Sequence, residues 1–270
     1  MDDAAVLARF DAQLREHLSP AERSGPVVRV TRELGGWDGV VWSDLTEETA
    51  DAAIAAQVAH FTGLGRGFEW KTYAHDGPAD LGDRLRRAGF SAGTPETLMV
   101  AETATLSTEA ALPPGVTLHH VTDEAGVRLM MRAHAAAFGS DSAALGAMVR
   151  AQLAASPELV DVLVALAGGN GEDGEDGEPV CAARMERYPG TDFAGLWGGG
   201  TAPGWRGRGI YRALVAARAR IAAAHGVRYL QVDASEDSRP ILRRLGFTAI
   251  GTTTPYVYGD GDGLTGDGEG

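Results

Sequence analysis

The stretch Trp205-Arg-Gly-Arg-Gly-Ile-Tyr-Arg-Ala213 decides the fold of this 270-residue chain. It follows a strand-like run, Phe193 to Thr201, and leads into an amphipathic helical pattern that starts at Ile210. A glycine-rich turn at a helix N-terminus points several backbone N–H groups, and the positive end of the helix dipole, at one anion. Gly207 and Gly209 carry no Cβ that would obstruct a phosphate. The stretch therefore predicts a diphosphate-binding loop.

Arginines at 206, 208 and 212 place positive charge around the same turn. Two familiar phosphate motifs are excluded. A Walker loop needs Lys followed by Ser or Thr after its glycines, and a dinucleotide fingerprint needs a third glycine where Arg212 stands. The pattern that fits is R-x-x-G-x-[G/A], with Arg206, Gly209 and Tyr211 at its three defined positions. Tyr211 departs from the usual small residue.

This loop resembles the pyrophosphate loop of the GNAT superfamily of acyl-CoA N-acetyltransferases. Thr201-Ala-Pro203 is similar to the V-x-P that ends the fourth strand of those proteins, and Ile241-Leu-Arg-Arg-Leu-Gly-Phe247 is similar to their x-Y-E-K-L-G-F helix end. Strand, loop, helix, strand and Leu-Gly-Phe follow in the family's order. The resemblance implies an α/β fold with a mixed, mostly antiparallel sheet flanked by helices, and it implies acetyl-CoA as the co-substrate.

The resemblance also places the contacts to acetyl-CoA. The predicted binding residues are Gly199, Gly200, Thr201, Arg206, Gly207, Arg208, Gly209, Ile210, Tyr211 and Arg212. Three consecutive glycines, 198–200, weaken a strand and predict a bulge or a close ligand approach, with a merely irregular edge as the alternative. In the family, a backbone N–H at this place polarises the thioester carbonyl. No Cys/His cluster has zinc spacing, so we expect no metal.

Four positions bear on acyl transfer. The family's usual proton donor to the leaving thiolate is a tyrosine at the position of Leu242, so the donor is not evident here. Glu186 and Asp233 lie at the edges of the expected cleft. Each is a candidate base or anchor for the substrate ammonium, or a satisfied surface or capping acid. Ser235 either bonds the pantetheine arm or caps the next helix.

Two further side chains have an ordinary structural interpretation. His134 sits on the apolar face of a helix predicted over 123–138, a segment that borders the acceptor pocket in this fold, and a packed histidine is the favoured interpretation. Cys181 lacks an activating histidine pattern, and we expect it to be a buried strand residue.

The chain contains an internal repeat. Arg84-Leu-Arg-Arg-Ala-Gly-Phe90 matches Ile241 to Phe247 at a separation of 157 residues, which indicates a tandem duplication. At the loop position of the first copy, residues 44–49 contain three acids and neither glycine nor arginine, so that copy is not expected to bind a diphosphate. The predicted organisation is a degenerate GNAT-like domain at 1–106, a linker at 107–115, a catalytic domain at 116–258 and a disordered acidic tail at 259–270.

Composition limits the partners and the compartment. Nine of the thirteen net negative charges lie in two glycine-rich runs, 172–178 and 260–269. The sequence shows no basic patch of the kind that nucleic-acid binding needs, which argues against a nucleic-acid partner. No apolar run is long enough to span a bilayer, and the N-terminus has no basic signal-peptide region. A single cysteine fits a reducing compartment, so we expect a cytoplasmic protein, either a monomer or a homodimer.

The expected function is transfer of an acetyl group from acetyl-CoA to a primary amine of a small molecule or peptide, by direct attack in a ternary complex. The alternative, motivated by Leu242, is a non-catalytic acyl-CoA-binding pseudoenzyme or sensor.

Overall fold

Twelve strands and seven α-helices form in the part of the chain that the computed structural model describes, residues 2–31, 37–109, 111–139, 143–168 and 177–259. The strands are β1 Glu22–Ser24, β2 Val27–Val30, β3 Gly39–Ser43, β4 Phe68–Tyr73, β5 Ser91–Ala92, β6 Glu96–Glu102, β7 Val116–Val121, β8 Val160–Ala167, β9 Glu178–Arg187, β10 Phe193–Thr201, β11 Tyr229–Ala234 and β12 Thr248–Tyr258. The helices are α1 Asp3–Phe10, α2 Ala50–Gly63, α3 Leu81–Arg87, α4 Glu124–Phe138, α5 Ala143–Ala155, α6 Ile210–Ala224 and α7 Arg239–Leu245.

Four short turns complete the description. Asp11–Glu16 is π-helical and continues α1, whereas Thr103–Thr105, Pro157–Leu159 and Pro203–Trp205 are single 3₁₀ turns. Most of the predicted acidic run and the predicted tail from residue 260 onward lie outside the described residues.

The described residues divide into two compact units. The first holds residues 2–98 and 249–259, and the second holds residues 99–248. These limits differ from the predicted 1–106 and 116–258 because the last strand of each half is grouped with the other half. β12 pairs antiparallel with β4, from Thr253 opposite Tyr73 to Tyr258 opposite Phe68. The end of β6 is hydrogen-bonded to β11. Whether each unit descends from one copy of a duplication stays a prediction.

The sheet of the second unit runs in the order β6-β11-β10-β9-β8-β7. β7 to β10 are antiparallel neighbours, and β10 and β11 are parallel, so the sheet is mixed and mostly antiparallel as predicted. Helices α4 and α5 cover one face, where Val127 and Val149 pack on Val162. Helix α6 covers the other face, where Leu214 packs with Leu163.

Local sequence explains where the helices of this unit begin and end. Asp123 caps α4 by accepting a 2.8 Å hydrogen bond from the N–H of Gly126, and Gly139 ends the helix with φ of +74°. Helix α6 ends at Ala224, and Gly226 follows with φ of +71°, the left-handed conformation that commonly follows the end of a helix. In the described residues, no helix has both the length and the apolar character needed to cross a membrane.

The first unit has a sheet in the order β1-β2-β3-β4-β12, with β5 beside β12. β3 and β4 are parallel, whereas β1 pairs with β2 and β2 pairs with β3 in antiparallel fashion. Its core is aromatic: Phe61 stacks on Phe68 with ring centroids 4.3 Å apart, and Phe90 meets Phe68 edge-on at 5.2 Å. This unit therefore has a core of its own.

Candidate functional site

The predicted diphosphate loop connects β10 to α6 through the Pro203–Trp205 turn. Gly207 and Gly209 both adopt left-handed backbone conformations, with φ of +74° and +84°. An L side chain is strained in that region, so the turn requires glycine at both positions. The sequence identified these two glycines by the room that they leave for a phosphate, and the backbone conformation is a second, independent reason for glycine there.

Gly209 is the N-cap residue of α6, and no side chain in the described part of the chain caps this helix. The first intrahelical bond runs from the N–H of Ala213 to the carbonyl of Gly209 at 3.0 Å. The amides of residues 210–212 have no acceptor within the helix, because a helix leaves its first N–H groups unpaired. Arg208 and Arg212 are exposed beside them. This donor set, with its positive dipole, suits a diphosphate.

Arg206 is hydrogen-bonded to two backbone carbonyl groups. Its Nε donates to the carbonyl oxygen of Thr201 at 3.0 Å, and its Nη2 donates to the carbonyl oxygen of Ala137 at 3.1 Å. The guanidinium therefore ties the loop to the end of β10 and to the last turn of α4. The observed contacts of Arg206 position the loop, and its predicted contact with acetyl-CoA stays a prediction.

Tyr211 is half-buried under the first turn of α6 and faces β10. A Cβ atom at Gly199 would lie 2.7 Å from Cε2 of Tyr211. The glycine at 199 therefore provides the room that the unusually large residue at 211 needs. Burial raises the pKa of the Tyr211 phenol, so the group stays neutral around pH 7.

β10 and β11 diverge within the second unit. They pair from Phe193 opposite Tyr229 to Gly195 opposite Gln231, although β10 continues to Thr201 and β11 to Ala234. The register of β10 against β9 shifts between Trp197 and Gly200, where Gly198 has φ of +58°. The bulge predicted from the three glycines is confirmed, and it borders the divergence.

Gly200 and Thr201 lie on the far side of this bulge. A Cβ at Gly200 would meet the ring of Phe138 at 2.6 Å, so glycine there permits close packing of β10 on α4. Thr201 pairs with Cys181 of β9, and its Oγ1 donates to the Cys181 Sγ at 3.2 Å. Cys181 is fully buried, as expected from the sequence.

The two candidate acids lie on the sheet face that α4 and α5 cover, with β10 between them. The Glu186 Oε1 accepts from the Nε of Arg184 at 2.9 Å and from the Nε2 of Gln152 at 2.8 Å. Asp233 is 3% exposed, and its β11 neighbours Val232 and Ala234 face the opposite side. Glu186 thus already has two donors, and Asp233 is the more deeply buried acid.

Ser235 and Leu242 both make contacts that stabilise the fold. The Ser235 Oγ accepts from the N–H of Ser238 at 3.3 Å and donates to the Ser238 Oγ at 3.2 Å, so it orders the start of α7. Leu242 is fully buried and packs in one cluster with Val215 and Leu230. In this structure the position of the family's tyrosine therefore belongs to the hydrophobic core.

Sequence reasoning missed Arg218, which is 1% exposed in the middle of α6. Its Nη1 donates to the carbonyl of Arg184 on β9 at 3.0 Å, and its Nε donates to the carbonyl of Leu214 at 3.2 Å. Burial lowers the pKa of this guanidinium. The sequence did contain a signal for this buried residue, because Arg218 lies among the apolar positions of α6.

The first unit has a counterpart of this strand divergence, and there a side chain fills it. β3 and β4 pair only at Gly39–Glu69 and Val40–Trp70, although both strands continue for three further residues. Arg15 enters beside them: its Nε donates to the carbonyl of Val41 at 3.0 Å, and its Nη2 donates to both oxygens of Asp76 at 2.7 Å. Arg15 is 2% exposed.

Comparisons with known proteins agree with this geometry. Residues 163–247 match the model of the Acetyltransferase (GNAT) family. The match supports acyl-CoA-dependent N-acetyltransferase chemistry in general. No curated protein matches the chain.

Solved structures share the fold over nearly the whole chain. A GCN5-related N-acetyltransferase from Kribbella flavida is 17% identical, with a TM-score of 0.66 and 96% of each chain covered. A functionally unknown conserved protein from Staphylococcus epidermidis ATCC 12228 is 15% identical, with a TM-score of 0.62 and coverage of 91% of this chain and 96% of that one. A tandem GNAT protein from the clavulanic acid biosynthesis pathway is 13% identical, with a TM-score of 0.58 and coverage of 87% and 80%. The predicted fold class is confirmed.

Proposed function

We propose that this chain is an acetyl-CoA-dependent N-acetyltransferase, because residues 163–247 match the model of the Acetyltransferase (GNAT) family. The acceptor is a primary amine of a small molecule or peptide, which attacks directly in a ternary complex. Bound acetyl-CoA supplies the acetyl thioester, and the chain supplies binding, orientation and proton handling.

The observation that carries this proposal is the uncapped N-terminus of α6 behind two left-handed glycines. The amides of residues 210–212 and the exposed Arg208 and Arg212 present donors and positive charge to a diphosphate. Arg206 keeps the loop in register with β10 through Thr201. These features support acyl-CoA binding at this loop.

The divergence of β10 from β11 supports a site for the pantetheine arm. Past Gly195 and Gln231 the two strands no longer pair with each other, so their facing edges are available to an extended polar chain. The bulge at Gly198 lies along this edge. A bulge re-aims backbone groups, and N–H groups there suit the developing charge on a thioester oxygen.

For the acceptor, Asp233 is the better anchor for an ammonium group than Glu186. Asp233 is buried on the face covered by α4 and α5, where a cation gains most from a carboxylate. Approach from this face puts the amine on the side of the sheet opposite α6.

We further propose one acyl-CoA site per chain. In the first unit, the divergence between β3 and β4 contains the Arg15 guanidinium, which bonds Val41 and Asp76. Helix α2 follows residues that carry acids rather than glycine and arginine. Both features oppose a second site.

A non-catalytic acyl-CoA-binding role is the second candidate. It is favoured by the burial of Leu242 in the core, which leaves no phenol at the family's proton-donor position. A thiolate is nevertheless a fair leaving group, so acyl transfer does not require that phenol.

Calorimetry with CoA and thiol release with a panel of primary amines test the proposal together. We expect one site per chain, and acetyl-dependent thiol release with at least one amine. Gly209→Val should abolish CoA binding, because the substitution strains a left-handed position and crowds the phosphate. Gly204→Val is the matched control, since a Cβ at Gly204 meets open space. Arg208→Glu tests the charge without altering the backbone.

Binding of CoA without thiol release from any amine would favour the non-catalytic role. Unchanged CoA affinity in folded Gly209→Val and Arg208→Glu variants would refute the assignment of the loop.

A further inference from the structure

A positive charge lies in the core of the second unit, and no carboxylate of the described residues pairs with it. The charge belongs to Arg218, which is in the middle of α6 and is 1% exposed. Its Nη1 donates to the carbonyl oxygen of Arg184 at 3.0 Å, and its Nε donates to the carbonyl oxygen of Leu214 at 3.2 Å. The guanidinium therefore binds backbone carbonyl groups instead of an acid.

Burial of this cation is unfavourable for the stability of the fold. Taking a guanidinium out of water costs free energy, and a carboxylate partner would offset part of that cost. Burial lowers the pKa of Arg218, and the neighbouring Tyr211 and Cys181 oppose that shift. Leu214 and Ala217, on the same side of α6, show that apolar residues pack well there. An apolar residue at position 218 would avoid the cost, so packing alone does not explain an arginine.

The carbonyl group that Arg218 binds lies in the last row of β9 and β10 before the bulge. Arg184 is opposite Trp197, and pairing resumes with Ala182 opposite Gly200. Over this interval β10 advances by three residues and β9 by two, so β10 carries the extra residue. A bulge disrupts the ladder locally. At this point a side-chain donor from α6 binds the backbone of β9.

Helix α6 carries both this guanidinium and the proposed diphosphate site. The diphosphate site lies at the start of the helix, at Gly209 and Ile210. Arg218 follows Ile210 by eight residues, which corresponds to about 12 Å along the helix axis. Because the helix is continuous between them, the hydrogen bond to Arg184 fixes the diphosphate loop relative to the bulge of β10. These two regions are the ones proposed to hold the diphosphate and the acyl group of acetyl-CoA.

We infer that Arg218 is a positioning residue, which sets the bulge of β10 against the diphosphate loop through the carbonyl group of Arg184. This inference rests on the proposed function. Arg218 acts from within the core and makes no contact of its own with acetyl-CoA. It keeps the N–H groups of the bulge aimed at the proposed place of the thioester oxygen. A small misplacement of these groups lowers the rate more than the affinity, because the diphosphate still anchors CoA.

Arg218→Met tests this role, because methionine fills much of the same space without hydrogen-bond donors. We expect kcat for thiol release, with the best amine of the panel, to fall about 10- to 100-fold, while the CoA dissociation constant changes less than about twofold. The melting temperature should stay the same or rise, because a buried charge is removed. Arg220→Met is the matched control, since Arg220 is exposed on the same helix, and it should change none of these values.

Two further measurements separate positioning from general support of the fold. In ¹H–¹⁵N spectra of the CoA-bound protein, the amide signals of glycines 198–200 should differ between the wild type and Arg218→Met. The amide signal of Gly126, at the start of α4, should be the same in both. Arg218→Lys keeps the charge and can still donate to the carbonyl of Arg184, so it should recover part of kcat and move the three glycine signals less.

The outcomes separate this inference from the proposed function. A folded Arg218→Met variant with wild-type kcat and unshifted glycine signals would overturn the inference. A parallel loss of stability, CoA affinity and kcat would also overturn it, because that pattern marks a purely structural residue. If the wild type binds CoA but releases no thiol with any amine, the proposed function is refuted. The glycine signals of Arg218→Met then decide the inference alone: a shift supports the positioning of the bulge, and no shift refutes it.

Discussion

Atom Cε2 of Tyr211 lies 2.7 Å from the point that a Cβ atom would occupy at Gly199. The two residues are therefore complementary in size across the interface between α6 and β10. The R-x-x-G-x-[G/A] pattern has a small residue at position 211, and here a tyrosine is accommodated because the facing strand residue is glycine.

We expect Gly199→Ala to lower the free energy of unfolding and to weaken CoA binding, because the new methyl group displaces the ring under the diphosphate loop. Overpacking of this kind costs about 1–3 kcal/mol. Tyr211→Ala should cancel most of that loss in the double variant. Chemical denaturation of the two single variants and the double variant measures the coupling. Strictly additive effects would show that the two residues do not share this space.

Arg206 and Arg208 should differ in what their loss affects. Arg206→Ala removes two hydrogen bonds to backbone carbonyls, at Thr201 and Ala137, so we expect about 1–2 kcal/mol less stability together with weaker CoA binding. Arg208 is exposed and stacks over Trp205 at 4.6 Å. Arg208→Ala should therefore leave the melting temperature unchanged and weaken CoA binding mainly at low salt.

Thermal melts and calorimetry at two salt concentrations distinguish the two arginines. An Arg206→Ala variant with wild-type stability and a salt-sensitive loss of affinity would instead show that Arg206 contacts the diphosphate directly.

The pair Asp11–His75 should make the stability of the first unit depend on pH. Burial by itself raises the pKa of Asp11, but hydrogen bonds from His75 and Arg15 outweigh it and hold that pKa below 3.8. The hydrogen bond with Asp11, at 2.9 Å, raises the pKa of His75 above 6.5. The histidine contributes stability that is fully present below pH 6.5 and is lost as the pH rises through its folded pKa. The aspartate contributes stability present above pH 3.8 and lost as the pH falls through its folded pKa.

His75→Gln should therefore lower the melting temperature most between about pH 4 and pH 6.5, and less at higher pH. Melting curves of the wild type and the variant across this range measure the difference. His225→Gln is the control, because His225 is exposed at the end of α6. A difference between wild type and His75→Gln that is constant with pH would contradict the assignment.

Cys181 should be inert in the folded protein. It is fully buried, and burial raises the pKa of its thiol to about 11, so the thiolate is a negligible fraction around pH 7. We expect no reaction of the native chain with an aromatic disulfide reagent, and one equivalent after denaturation. A thiol-release assay then reports CoA alone. Rapid native labelling would show that β9 opens.

Leu242→Tyr should destabilise the protein, because a larger polar ring would enter the cluster that contains Val215 and Leu230. The expected loss is about 1–3 kcal/mol in denaturant unfolding. Leu242→Met, which nearly conserves volume, should cost less. Unchanged stability with increased turnover would mean that the tyrosine reaches the reaction centre as it does in the family.

The sequence by itself determined the features that depend on local chemistry. Gly207 and Gly209 adopt left-handed conformations that favour glycine, Asp123 is a side-chain cap, and three consecutive glycines produce the bulge of β10. Each of these follows from the residue and its immediate neighbours, so the loop, the helix limits and the fold class were predictable.

The directions of long side chains were not predictable in the same way. Arg206 occupies the motif position, but its contacts are with Thr201 and Ala137, and the second of these lies 69 residues away in the chain. Such neighbours are set by packing, which a motif does not encode.

Only the tertiary structure decided to which unit the strands β6 and β12 belong. It also decided which of the two strand divergences is filled by a side chain. β12 pairs with β4, and the end of β6 is bonded to β11, so each unit takes its last strand from the other half of the chain. Backbone pairing uses the same N–H and C=O groups in either arrangement, so a duplicated sequence is compatible with both. Likewise, only the folded chain brings Arg15 beside Val41 and Asp76, and that contact fills the divergence of the first unit.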